Sequence, residues 1–159
     1  MLQKVLSEKI SHWQDEIHTV LEQAGEKKIS EVSVNQAYGG MRGIKGLICE
    51  TSAVSADKGL IIRGYPLLEI TQLLPEEVFY LLLTGDLPDQ AAKEDIQNQL
   101  NAHNNVPEYV WNVLSSLPDD SHPMTMLTIA IQSMQVDSEF VKKYDKGVPK
   151  KDYWKWTLD

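Results

Sequence analysis

The chain has 159 residues, 42% of them apolar, and a formal net charge of −8. That length fits one domain or one piece of a larger one, and this apolar content excludes an intrinsically disordered tail. The acidic balance argues against a duplex-binding module, which needs a basic face to displace counterions, and the single cysteine, Cys49, excludes an intrachain disulfide.

The first 25 residues read as a strong helix. Val5, Leu6, Ile10, Trp13, Ile17, Val20 and Leu21 recur at helical spacing as one apolar stripe, and Gly25 is a natural stop. The stripe has to lie against something, either its own domain or a partner subunit. The same segment has no apolar h-region and no arginine, but several acids (Glu8, Asp15, Glu16, Glu22), unlike a secretory signal or a mitochondrial presequence. No apolar run approaches the ~20 residues needed to cross a bilayer. The expectation from these features is a soluble, cytoplasmic protein.

Residues 29–65 change character. Both arginines of the chain, Arg42 and Arg63, fall here, with six of its nine glycines, while the other formal positive charges of the chain are its thirteen lysines. Arginine is a planar fork matched to phosphate or carboxylate, and glycine admits positive φ and close backbone approach. Arg42 within Tyr38-Gly39-Gly40-Met41-Arg42-Gly43-Ile44-Lys45-Gly46 therefore suggests an anion contact on a tight backbone, although the same residues also fit ordinary turns. Residues 47–52 and 60–63 read as two strands of a small hairpin, with Asp57-Lys58-Gly59 as the turn. Cys49 sits in the first of these and reads as a small buried hydrophobe rather than a nucleophile.

From Pro66 onward short helices are expected, over residues 67–74, 76–84 (opened by Pro75, ended by Gly85), 89–104, 108–117, 124–135 (capped by Ser121), 138–144, and from 150 to the end. The helix Val78-Phe79-Tyr80-Leu81-Leu82-Leu83 is apolar nearly all round and should be central. The fold class is mainly α, multi-helical, with a small β-hairpin near residues 47–63. Chemistry is sparse. His12 and His18 lie on the polar side of the first helix, and His103 sits at a helix end. His122, in Ser121-His122-Pro123-Met124 near Asp119 and Asp120, fits either an oriented base or a plain helix entrance. No metal-ligand spacing, dinucleotide fingerprint or phosphate loop occurs.

The run Tyr38-Gly39-Gly40-Met41-Arg42-Gly43-Ile44-Lys45-Gly46-Leu47-Ile48-Cys49-Glu50-Thr51-Ser52, with Gly59-Leu60-Ile61-Ile62-Arg63-Gly64-Tyr65, closely resembles the citrate synthase family, in particular the branch with the mitochondrial enzymes. Pro75-Glu76-Glu77-Val78-Phe79-Tyr80-Leu81-Leu82-Leu83-Thr84-Gly85, Ser121-His122-Pro123-Met124 and Lys151-Asp152-Tyr153-Trp154 match further family motifs in order. The resemblance implies that residues 1–159 form the N-terminal portion of a citrate synthase-like large domain, about the first third of an enzyme that condenses acetyl-CoA with oxaloacetate. It implies a homodimer with shared active sites and coenzyme A as co-substrate rather than a permanent cofactor; the charge and apolar runs read above add the expectation of no nucleic-acid and no membrane partner. The catalytic histidines and aspartate of the family lie beyond this stretch, so no catalytic residue and no metal ligand is assigned, and the fragment alone should be inactive. Arg42 matches the family arginine that contacts CoA phosphates; for Arg63 only a structural role is implied. The rival readings are a 2-methylcitrate synthase fragment acting on propionyl-CoA and a non-catalytic helical interaction module. The absence of a basic presequence suggests a bacterial cytosolic enzyme.

Overall fold

The computed structural model describes residues 2–156 and 158. Two compact units divide after Ile96.

The first unit opens with α1, Leu2–Ala24. The helix ends at Gly25, whose N–H bonds the Leu21 carbonyl at 2.9 Å and where a Cβ would lie 2.5 Å from that oxygen. The apolar stripe is only partly used. Leu2 and Leu6 are buried, whereas Ile17, Val20 and Leu21 are 52%, 55% and 60% exposed. At the start of α1 the Leu2 N–H donates to the Asp95 carboxylate at 3.2 Å, a negative group where the helix dipole favours one.

A short helix, α2, Val34–Tyr38, follows, where the sequence reading placed only irregular and β-rich runs. Its cause is a reciprocal cap: Gln36 N–H donates to Ser33 Oγ at 3.2 Å, and Ser33 N–H to Gln36 Oε1 at 3.0 Å.

The sheet has three antiparallel strands in sequence order, β1 Ser52–Ser55, β2 Gly59–Ile62 and β3 Tyr65–Pro66. Pairing runs Ser52↔Ile62 to Ser55↔Gly59 and continues as Ile62↔Tyr65. The turn at Asp57-Lys58-Gly59 holds, closed by Lys58 N–H to Ser55 Oγ at 3.0 Å. The first expected strand does not: residues 47–51 form no ladder, and the strand starts at Ser52. A turn ending in a positive-φ Gly59 fixes register from the turn outward, so the β-rich composition of 47–51 has no strand opposite it.

The helix expected over residues 67–74 is a single 3-10 turn, Leu67–Glu69. Pro75 holds Leu74 extended, with ψ at 155°, and the remaining residues close i→i+3 bonds such as Leu73 N–H to Ile70 O at 3.1 Å. Helix α3, Pro75–Thr84, is central as expected: Leu81 and Thr84 are fully buried and Tyr80 nearly so. Glu77 accepts from Leu74 N–H at 2.8 Å and pairs with Lys93 at 3.3 Å. Gly85 terminates α3 in the left-handed region, its N–H on Leu81 O. Helix α4, Gln90–Ala102, is capped by Asp89 Oδ1, which accepts from Ala92 N–H at 2.7 Å. Ala92 and Ile96 complete a core with Leu2, Leu6, Ile70, Tyr80 and Leu81.

The second unit contains α5, Glu108–Ser115, α6, Pro123–Ser133, and α7, Glu139–Asp145, with 3-10 turns at Met134–Asp137 and Lys150–Trp156. Tyr109 donates to Asp137 Oδ2 at 2.7 Å, and Phe140 meets Tyr153 edge-on at 5.1 Å. The cap of α6 is His122, not Ser121: its Nδ1 accepts from Met124 N–H at 3.1 Å. Of the terminal helix expected from residue 150, a 3-10 segment forms, and Thr157 and Asp159 lie outside the described residues. Trp154 and Trp156 are only half-buried.

Candidate functional site

Arg42 sits on a loop that the glycines shape. The Gly39 and Met41 N–H groups bond back to Asn35 O and Gln36 O at 2.8 Å each, and Ile44 N–H bonds Met41 O at 3.2 Å. Gly40 and Gly43 have φ of 75° and 76°, and Met41, without the freedom of glycine, sits at 62°. Three left-handed residues in four turn the chain sharply and leave Arg42 exposed on the outside of the turn. Lys45 is exposed close by in sequence. The adjoining concavity, about 640 Å3, is lined by Ile29, Ile44, Lys45, Gly46, Leu47 and Ile48, and Arg42 is not among its lining residues. Among the described residues no histidine lines this concavity.

Arg63 is placed quite differently. It follows β2, and Arg63-Gly64 form the two-residue turn between Ile62 and Tyr65, with φ of 47° and 87°. Its Nε and Nη2 both donate to Leu82 O, at 3.0 and 2.8 Å, and Nη1 reaches Glu50 O at 3.5 Å. The guanidinium also lies 5.4 Å from the Trp13 ring centroid. Leu82 is in the last turn of α3, where carbonyls lack helical partners and the dipole favours a cation. The structural role expected for Arg63 is therefore a clamp joining α1, residues 50–51 and the end of α3. Sequence reasoning did not foresee these partners, and it placed Arg63 at the end of a strand rather than in a turn between two.

Beside the clamp runs a trough of about 1000 Å3 between α1 and residues 48–51, with Trp13, Ile17, Val20, Leu21 and Ile48 as its apolar lining. The unused half of the α1 stripe is one wall.

Cys49 is exposed, not a buried hydrophobe. Its Sγ lies 3.4 Å from Thr51 Oγ1 and 3.9 Å from Ser52 Oγ. Hydrogen bonding, from the Thr51 hydroxyl first and the Ser52 backbone next, lowers its pKa to about 7. The correction has the same origin as the shifted strand: with no ladder over 47–51, nothing folds over this side chain.

Each histidine has a local partner. His12 and His18 face Glu16 and Glu22 one helical turn on, at 3.2 and 3.0 Å. His103 Nδ1 bonds Gln99 O at 2.8 Å, and His122 caps α6 through Nδ1, the arrangement of a helix entrance. Among the described residues no group of three His, Cys, Asp or Glu is arranged to hold a metal, and no helix is long and apolar enough to cross a membrane.

Residues 40–159 match the family described as "Citrate synthase, C-terminal domain". The chain is 41% identical over 155 residues to the mitochondrial citrate synthase of Saccharomyces cerevisiae, covering 91% of this chain and 32% of that protein. It is 37% identical over 172 residues to the peroxisomal citrate synthase of the same yeast, covering 99% of this chain and 37% of the relative. To the mitochondrial 2-methylcitrate synthase of Yarrowia lipolytica it is 35% identical over 155 residues, covering 91% and 33%. The chain thus spans about a third of the length of the curated relatives it matches. The cytoplasmic placement is overturned by relatives whose names are mitochondrial. It rested on a missing arginine-rich leader, and a stretch covering a third of such a protein carries no information about leaders.

Proposed function

Because this chain belongs to the citrate synthase family, we propose that it is the N-terminal portion of the large domain of a citrate synthase, which condenses acetyl-CoA with oxaloacetate to citrate and CoA. The observation that carries the proposal is the Arg42 loop. An exposed guanidinium is presented on three left-handed residues within the family-matched stretch. A planar donor exposed on a tight turn suits the phosphates at the nucleotide end of CoA, which take charge-assisted hydrogen bonds. The chain holds no residue assigned to the condensation itself, so the acid and base come from elsewhere in the polypeptide. The open wall of α1, with Ile17, Val20 and Leu21 more than half exposed, supports assembly with further protein, and we assign that role to a homodimer. The mitochondrial names of relatives support a mitochondrial location.

The test is Arg42→Ala in the full-length protein. Its KM for acetyl-CoA should rise by about 1.5–3 kcal/mol of lost charge-assisted bonding while kcat holds; an unchanged KM removes the assignment. A second reading, 2-methylcitrate synthase, is favoured by the relative of that name. A higher kcat/KM for propionyl-CoA than for acetyl-CoA would select it.

A further inference from the structure

The Arg63-Gly64 turn breaks a local rule. A two-residue hairpin turn with positive φ at both positions takes Asn, Asp or Gly first, because a Cβ is costly there. Arginine at φ 47° is therefore a poor turn former held in place by its surroundings. The side chain accounts for it. Two donors converge on Leu82 O, a third reaches Glu50 O, the ring of Trp13 lies beneath, and the backbone N–H bonds Thr51 O at 2.9 Å.

These contacts fix one place on the Arg42-bearing segment. Upstream, residues 33–44 are tied to α2 by the Ser33–Gln36 cap and by Met41 N–H to Gln36 O. Downstream, the segment belongs to no strand until Ser52, and its attachment at Glu50 and Thr51 is to Arg63, by side chain and by backbone. The loop thus hangs between a capped helix and a guanidinium that is itself fixed on the end of α3.

Resting on the reading that Arg42 meets CoA phosphate, we infer that Arg63 is a positioning residue for that contact: it sets where the segment carrying Arg42 leaves the sheet, and it touches no substrate. Lysine would keep the charge but not the fork that joins Leu82 and Glu50. Asparagine would suit the turn better than arginine does while releasing both carbonyls. Turn stability and loop placement can therefore be pulled in opposite directions by one substitution.

The experiment is a double-mutant cycle of Arg42→Ala and Arg63→Asn in the full-length enzyme, read as KM for acetyl-CoA and as kcat. Arg63→Asn should raise KM by about tenfold with kcat changed less than about twofold, and Arg42→Ala should then add little in that background. Retention of the whole Arg42→Ala effect alongside Arg63→Asn would overturn the inference and leave the Arg42 reading intact. An Arg42→Ala variant with unchanged KM would remove that reading, and this inference with it. Should Arg63→Asn not fold, Arg63→Lys replaces it in the cycle; the same non-additive rise in KM is expected, and an unchanged KM overturns the proposal.

Discussion

The thiol of Cys49 offers a direct check on the loop geometry. The side chain is exposed and its pKa stands at about 7, with the Thr51 hydroxyl as the leading cause. About half the thiol is then thiolate at pH 7, whereas a cysteine at the ordinary value near 8.5 is only a few per cent ionised there. Thr51→Val keeps the shape of the side chain and removes the donor that lies 3.4 Å from Sγ. The Ser52 hydroxyl and the two backbone groups remain, so the pKa should move up only part of the way. Each unit of that rise cuts the thiolate fraction at pH 7 nearly tenfold once the pKa is well above 7. Alkylation by iodoacetamide, followed by intact mass across pH 5.5 to 10, reads this directly, since only the thiolate reacts. As pH rises, the rate for the native chain should climb to a midpoint near 7; for Thr51→Val the midpoint should lie higher. Above both values the variant should react at least as fast, because a more basic thiolate is the stronger nucleophile. A native midpoint at the ordinary value, or one that Thr51→Val leaves in place, would refute the hydrogen-bonded arrangement of residues 49–52.

Two further outcomes follow from the same coordinates. Leu81 is fully buried in α3, so Leu81→Ala should cost about 2–5 kcal/mol of stability by lost transfer and cavity formation, seen as a lower urea midpoint, while Leu127→Ala, at a side chain 50% exposed, should cost well under half of that; equal losses would contradict the assigned core. The purified 159-residue chain, offered acetyl-CoA and oxaloacetate, should release no citrate or free CoA thiol above background, and detection of either would place catalytic groups within it.

Most helices were legible because their causes are local. Pro75 and Gly85 bracket α3, Gly25 ends α1, and the apolar run from Val78 to Leu83 marks the buried helix without reference to the rest of the chain. The errors arise where local preference was outvoted or overlooked. Residues 47–51 have strand composition, but the Ser55–Gly59 turn sets a register whose ladder begins at Ser52. Residues 67–74 look helical, yet Pro75 forces Leu74 extended and breaks the run into turns. The cap of α2 was readable, since Ser33 and Gln36 stand at the spacing of a capping box. For α6, two adjacent candidates, Ser121 and His122, differ only in which side chain reaches back to the Met124 N–H, and composition does not decide that.

The candidate site shows the same division more sharply. Arg42-Gly43 and Arg63-Gly64 are alike as dipeptides, and the sequence marks both as unusual, because the other formal positive charges of the chain are lysines. Their fates are opposite. Arg42 turns outward because Gly40, Met41 and Gly43 curl the backbone beneath it, all within three residues, and that much is local. Arg63 turns inward because a carbonyl at Leu82, nineteen residues on, has no helical partner, and because Trp13, fifty residues back, offers a ring face. Neither partner is visible from the neighbourhood of Arg63. What the structure adds is a misfit: an arginine where a type I′ turn wants asparagine or glycine. A residue that resists its own local conformation is held by something distant, and the functional weight of the Arg42 loop then depends on whether that distant hold, at Glu50 and Thr51, is what keeps the loop in place.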